Sequence, residues 1–159
     1  MQFKIVAVGK AREPFIQAGA EEYLKRLRPY GRFAVAELAD EPLPARLTPG
    51  HEKKILAAEG ARIREALRDG DFVVCLDRQG KALSSEEFAA FLDELAGRGR
   101  SSVAFVIGGT IGLDPALLKE AGMSLSLSKM TLPHQLARLF LLEQLYRAFK
   151  IRRGEPYHH

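Results

Sequence analysis

Two kinds of hydrophobic pattern alternate along the chain. Short runs that are continuously apolar or alternate apolar with polar fall at Phe3 to Val8, Phe33 to Leu38, Phe72 to Leu76, Val103 to Ile107 and, more briefly, Ser124 to Leu127. Runs of this length and period predict β-strands. Between them apolar residues recur at helical spacing, over Pro14 to Leu27, Glu52 to Leu67, Ser85 to Leu95, Pro115 to Ala121 and Pro133 to Lys150. Strands alternating with helices predict an α/β domain built on a mainly parallel sheet with helices on both faces. The runs 72–76 and 103–107 are apolar on both faces, which places them in the middle of that sheet. The segment 40–50, with Pro42, Pro44, Pro49 and Gly50, reads as a loop inside one domain spanning 1–159, since neither flank could fold separately.

Composition narrows the class. With 47% hydrophobic and 28% charged residues the chain has the material for one core and is not a disordered polymer. No apolar run approaches the roughly 20 residues a bilayer span needs, so no membrane partner is expected. The opening Met1 to Lys10 lacks the basic start, apolar centre and small-residue cleavage site of a secretory signal. The single cysteine, Cys75, lies inside an apolar strand, which excludes an intrachain disulfide and makes a reducing, cytoplasmic setting the expectation.

Net charge is +4, and its placement matters more than its size. Residues 123–159 hold six cations (Lys129, Arg138, Arg147, Lys150, Arg152, Arg153) against Glu143 and Glu155; from totals of 24 and 20, eighteen of each sign remain for the rest. An excess confined to the last quarter predicts a face for a polyanion such as RNA, although a basic helix end complementing its own dipole accounts for part of it.

In open parallel sheets ligands bind beyond the C-terminal ends of the strands. Three loops there carry the candidate chemistry: Asp77 to Lys81, Gly108-Gly109-Thr110-Ile111-Gly112, and Ser128 to His134. The glycine spacing is neither the dinucleotide fingerprint nor a P-loop, so those chemistries are disfavoured. Adjacent glycines do let a flat ligand approach the backbone, and a tight turn would explain them equally. Ser128, Thr131 and Pro133 suit a helix entry, with His134 just inside it. His134, His158 and His159 lack a Cys or carboxylate at ligand spacing, and no metal is expected. The last helix is apolar round much of its circumference, more than one sheet face can cover, which points to a second copy of the chain. The terminal Tyr157-His158-His159, after Arg152 and Arg153, reads either as a frayed end or as a stacking and proton-accepting segment for a nucleobase.

Taken together, the segments 105–109, 126–138, 143–151 and 153–159, which read FVIGG, SLSKMTLPHQLAR, EQLYRAFKI and RGEPYHH, resemble one family closely. It is the large-subunit rRNA pseudouridine N3-methyltransferases of the SPOUT superfamily, and the resemblance extends over essentially the whole chain. It implies a C-terminal trefoil knot, where topology rules alone lead to an ordinary flavodoxin-like sheet. It implies a homodimer that binds S-adenosylmethionine in the knot loops, at positions matching Leu76, Gly108, Leu127, Ser128, Lys129, Met130, Thr131 and Leu132. Some relatives carry an acidic or amide residue where this chain has Ile111, so Ile111 is not counted among them.

The expected reaction is methyl transfer to N3 of a pseudouridine in 23S rRNA, presented by the assembled ribosome because so small a chain has little surface with which to read rRNA itself. His158 or His134 is expected to accept or orient the proton, Tyr157 to serve as a base platform, and Arg138, Arg152 and Arg153 to anchor phosphate or base. Two other readings stand beside it. A SPOUT enzyme acting on tRNA would share the cofactor loops, and a non-enzymatic RNA-binding module would bind RNA without the methyl donor.

Overall fold

The computed structural model describes residues 1–157. Five strands, β1 (Gln2–Val8), β2 (Arg32–Leu38), β3 (Phe72–Ala82), β4 (Ser102–Ile107) and β5 (Met123–Ser126), form one sheet. Helices α1 (Pro14–Leu27), α2 (Pro49–Ala66), α3 (Ser85–Gly97), α4 (Pro115–Glu120) and α5 (His134–Arg152) alternate with them. Every strand pairing is parallel, in the order β2-β1-β4-β3-β5. The two doubly apolar strands are interior, as their composition requires. The order departs from the flavodoxin-like 2-1-3-4-5: β3 and β4 have exchanged places, so β3 lies between β4 and β5.

Side-chain alternation along the strands sorts the core into two layers. Phe3, Ile5, Val74, Val103 and Phe105 face α1, α3 and α5, where they meet Leu27, Phe88, Leu92, Leu141, Leu142, Leu145 and Phe149. Val6, Val8, Cys75 and Val106 face the other way, against Ile63 of α2 and Leu117 of α4. Helices therefore cover both faces.

Two boundaries differ from the sequence reading. Helix α2 starts at Pro49 because Thr48 caps it: Thr48 Oγ1 accepts from His51 N and the His51 ring accepts from Thr48 N, so Pro49-Gly50 begins a helix instead of ending a loop. The segment Asp77 to Lys81 is not a free loop. Strand β3 continues to Ala82, with Leu76 and Lys81 both in register with Leu125, so residues 77–80 bulge out of the sheet between two paired stretches.

Candidate active site

The loops beyond β4 and β5, the β3 bulge and the start of α5 enclose a cleft of about 560 Å³, within the size range of small-molecule sites. Its walls are mainly apolar, with Leu76, Ile107, Leu113, Leu125, Leu127 and Leu132 among them, and Asp77, Arg78 and Gln79 contribute polar groups. The glycine segment forms a tight turn in which Gly112 N donates to Gly109 O at 3.1 Å and Gly112 has φ +92°. A Cβ on Gly108 would lie 2.5 Å from Gly112 O, so this turn closes only around a glycine.

The third loop is held by its own hydroxyls. Ser128 Oγ accepts from Met130 N at 2.9 Å, and Ser126 Oγ donates to Ser128 O at 3.0 Å. Thr131 Oγ1 accepts from Arg78 Nη1 at 2.7 Å, which ties this loop to the β3 bulge. Seven of the eight expected cofactor positions line the cleft: Leu76, Gly108, Leu127, Ser128, Met130, Thr131 and Leu132. Lys129 belongs to the same loop but is exposed and is not part of the wall. Ile111 does stand in the wall, as do Asp77 and Arg78; the polar, glycine-containing run 77–81 signalled a ligand loop without showing which of its side chains turn inward.

His134 opens α5 and lines the cleft. Burial, reinforced by the Arg138 charge and only partly opposed by Asp40, pushes its pKa below the ordinary histidine value. The ring is therefore neutral at neutral pH and able to accept a proton.

One turn further on, Arg138 is 3% exposed. Its Nη1 donates to Glu37 Oε2 at 2.5 Å and its Nη2 to Gly9 O at 2.9 Å, while Glu37 Oε2 also accepts from Ala11 N at 2.8 Å. Burial raises the Glu37 pKa, but the Arg138 guanidinium and the Ala11 N–H outweigh it and hold the carboxyl below its usual range. Arg138 thus fastens the turn after β1 to the start of α5; it does not lie open to phosphate, as the sequence reading expected. Arg138→Met should destabilise the fold by about 2 to 3 kcal/mol, because the Gly9 carbonyl and a partly exposed Glu37 lose their donor. A denaturant melt of the variant checks this.

The family model described as "Predicted SPOUT methyltransferase" matches residues 1–158. The chain belongs to the SPOUT methyltransferase family. Proteins named ribosomal RNA large subunit methyltransferase H from Symbiobacterium thermophilum and Carboxydothermus hydrogenoformans are each 52% identical to it, over 99% of both chains. Among solved structures, a candidate methylase family protein from Neisseria gonorrhoeae superposes with a TM-score of 0.51 at 16% identity, covering 99% of this chain and 85% of its own, which supports the fold alone.

This SPOUT methyltransferase needs a methyl donor, and the cleft fits one of nucleoside type. Its leucine-rich walls suit a flat base, and the Gly108 turn, too tight to admit a Cβ, shapes its floor. Among the described residues no group of three His, Cys, Asp or Glu side chains could hold a metal ion, and no helix is long and apolar enough to cross a membrane.

The C-terminal candidates lie elsewhere on the SPOUT methyltransferase. Tyr157 packs edge-on to Tyr146 at 4.9 Å, under the Arg147 guanidinium, and its hydroxyl donates to Glu143 at 3.1 Å. Burial, a bond to Tyr23 and the Glu143 charge push its phenol up to about 12, so it stays protonated and can serve as a platform but not as a base. Glu143 lies about 13 Å along α5 from His134, at 1.5 Å per residue. Arg152 pairs with Asp93 at 2.5 Å and Arg153 lies over the Tyr30 ring at 4.6 Å, at the far end of the helix. His158 lies outside the described residues.

Half of the terminal basic excess is answered by acids elsewhere in the chain, Glu37 and Asp93. Arg138, Arg147, Lys150 and Arg152 each pair with a carboxylate, so four of the six cations counted there contribute little to an open field for RNA.

Proposed function

We propose that this protein transfers the methyl group of S-adenosylmethionine to N3 of a pseudouridine in large-subunit rRNA, acting as a homodimer on the assembled ribosome. The observation that carries the reading is the cleft itself: an apolar slot floored by a glycine turn at the strand ends, with a neutral histidine at its mouth. The name borne by relatives at 52% identity supports the choice of substrate.

The bound donor supplies an electrophilic methyl on a sulfonium. The chain's part is to hold that group and prepare the nucleophile. Leu76, Gly108 and the loop from Leu127 to Leu132 grip the donor, Lys129 contributing backbone only. The imide nitrogen is a poor nucleophile until its proton leaves, so a histidine, His134 from the cleft or His158 from the tail, takes it. Neutralising charge as the bond forms favours a dry site, which the leucine walls provide. Tyr157 gives the target base a face to stack on, and Arg153 anchors the RNA, while Arg152 stays paired with Asp93.

Two observations support the dimer. Phe15 is 64% exposed, and Leu136 and Phe140 are exposed one turn apart on α5, where a second copy would cover them. Tyr157 rests too far along α5 to reach its own cleft, so the tail serves the cleft of the partner subunit.

The test uses labelled S-adenosylmethionine with ribosomes from a strain lacking the gene, followed by mass mapping. Label is expected on a single pseudouridine of the large subunit, with purified rRNA a poor acceptor. Equal turnover on purified rRNA would refute the ribosomal requirement, and label on tRNA in place of ribosomes would transfer the reading to a tRNA enzyme.

A further inference from the structure

One carboxylate behind the cleft takes no part in this scheme. Glu59 of α2 is 5% exposed, and its Oε2 accepts from Glu41 N at 2.9 Å. Its Oε1 is buried with no hydrogen-bond partner among the described residues. That oxygen is aimed at Gly109: a Cβ built there would lie 3.1 Å from Oε1 and 3.2 Å from Val8 Cγ1. Gly109 also belongs to the cleft wall, so a single residue without a side chain separates the carboxylate from the cleft.

The neighbouring charges leave Glu59 short of a counter-ion. Asp40 and Glu41 add negative charge, and the nearby cation, Arg62, is committed to Glu41 at 2.5 Å and to Ala39 O at 3.0 Å. Burial, the largest influence, pushes the Glu59 pKa up, as expected for a desolvated carboxyl that lacks a full partner. A cation held on the cleft side of Gly109 would gain from this charge across a short path through buried protein, where Coulomb interactions are less screened than in bulk water. A neutral ligand in the same place would gain nothing.

We propose that Glu59 is the charge-selecting residue of the cleft, a buried carboxylate that favours the cationic sulfonium donor over the neutral thioether remaining after transfer. It touches neither ligand and acts through the field behind Gly109. Its effect is to help the spent cofactor leave and a fresh one bind. The inference rests on S-adenosylmethionine being the donor.

The experiment is calorimetry on the full chain, wild type and Glu59→Gln, with three ligands: S-adenosylmethionine, the amine-bearing cationic analogue sinefungin, and neutral S-adenosylhomocysteine. The glutamine is nearly isosteric and keeps an acceptor for Glu41 N. Affinity for the two cations should fall about tenfold, the scale of one partly screened charge pair, while S-adenosylhomocysteine binding stays within twofold. An equal loss for all three ligands would reduce Glu59 to a prop for the glycine turn, and no loss for any would remove it altogether. Should Glu59→Gln fail to fold, the wild type still decides, since sinefungin must bind it more tightly than S-adenosylhomocysteine. If wild type binds none of the three, the cofactor reading fails; if it binds all three and the preference does not move on substitution, only the role of Glu59 does.

Discussion

Gly108→Ala is expected to eliminate donor binding, lowering affinity by at least about a hundredfold. The new methyl would lie 2.5 Å from Gly112 O, 2.7 Å from Gly112 C and 3.0 Å from Leu113 Cγ. Two of these atoms are backbone and cannot swing aside as a side-chain tip can. Gly112 is itself held at φ +92° by the closure of the turn, so relief means opening the segment that floors the cleft. Overpacking of this kind also costs about 1 to 3 kcal/mol of stability. Calorimetry with S-adenosylmethionine, alongside a thermal melt, reads both effects. Gly97→Ala, at the exposed end of α3 where a Cβ meets nothing within 4 Å, is the control and should bind the donor as wild type does. Donor affinity within twofold of wild type for Gly108→Ala would show that the turn is not the floor of the site.

Deleting residues 154–159 should abolish methyl transfer to ribosomes, by about a thousandfold or more, and leave donor affinity within threefold. Among the described residues, none of 154–157 lines the donor cleft. The deletion removes Tyr157 and both terminal imidazoles, the groups proposed to receive the base and its proton, and base catalysis alone contributes about 10² to 10⁴ in rate. A mixing experiment identifies whose cleft the tail serves. Truncated chains have a sound cleft and no tail, and Gly108→Ala chains have a tail and no sound cleft. If tails cross between subunits, mixed dimers regain part of the activity that each parent lacks. A mixture as inactive as its parents would place each tail on its own cleft and refute the crossing between subunits.

Much of the fold was legible because its signals are local. The period of the hydrophobic pattern located all five strands and five helices. Strand order was not legible from pattern. The exchange of β3 and β4 is decided by pairings between distant segments, which leave no periodicity in either. The cleft was found by the rule that ligands sit beyond strand ends, and its individual positions came through family resemblance. The C-terminal charges were misjudged for a definite reason. A count of arginines cannot show that Glu37, 101 residues away, neutralises Arg138, or that Asp93 waits for Arg152. Burial and partnership are properties of the folded arrangement, and they turned an apparent RNA-facing residue into a fastening between β1 and α5. Glu59 escaped notice likewise, being one acidic residue among many until Gly109 was placed against it.

Helix α5 couples the core to the site. Leu141, Leu142, Leu145, Ala148 and Phe149 fill one side of the sheet, while His134, the first residue of the same helix, lines the cleft. A substitution that loosens this helix against the sheet therefore shifts a wall of the cleft as well, so heat that softens the leucine layer should release a bound donor before the rest of the molecule melts.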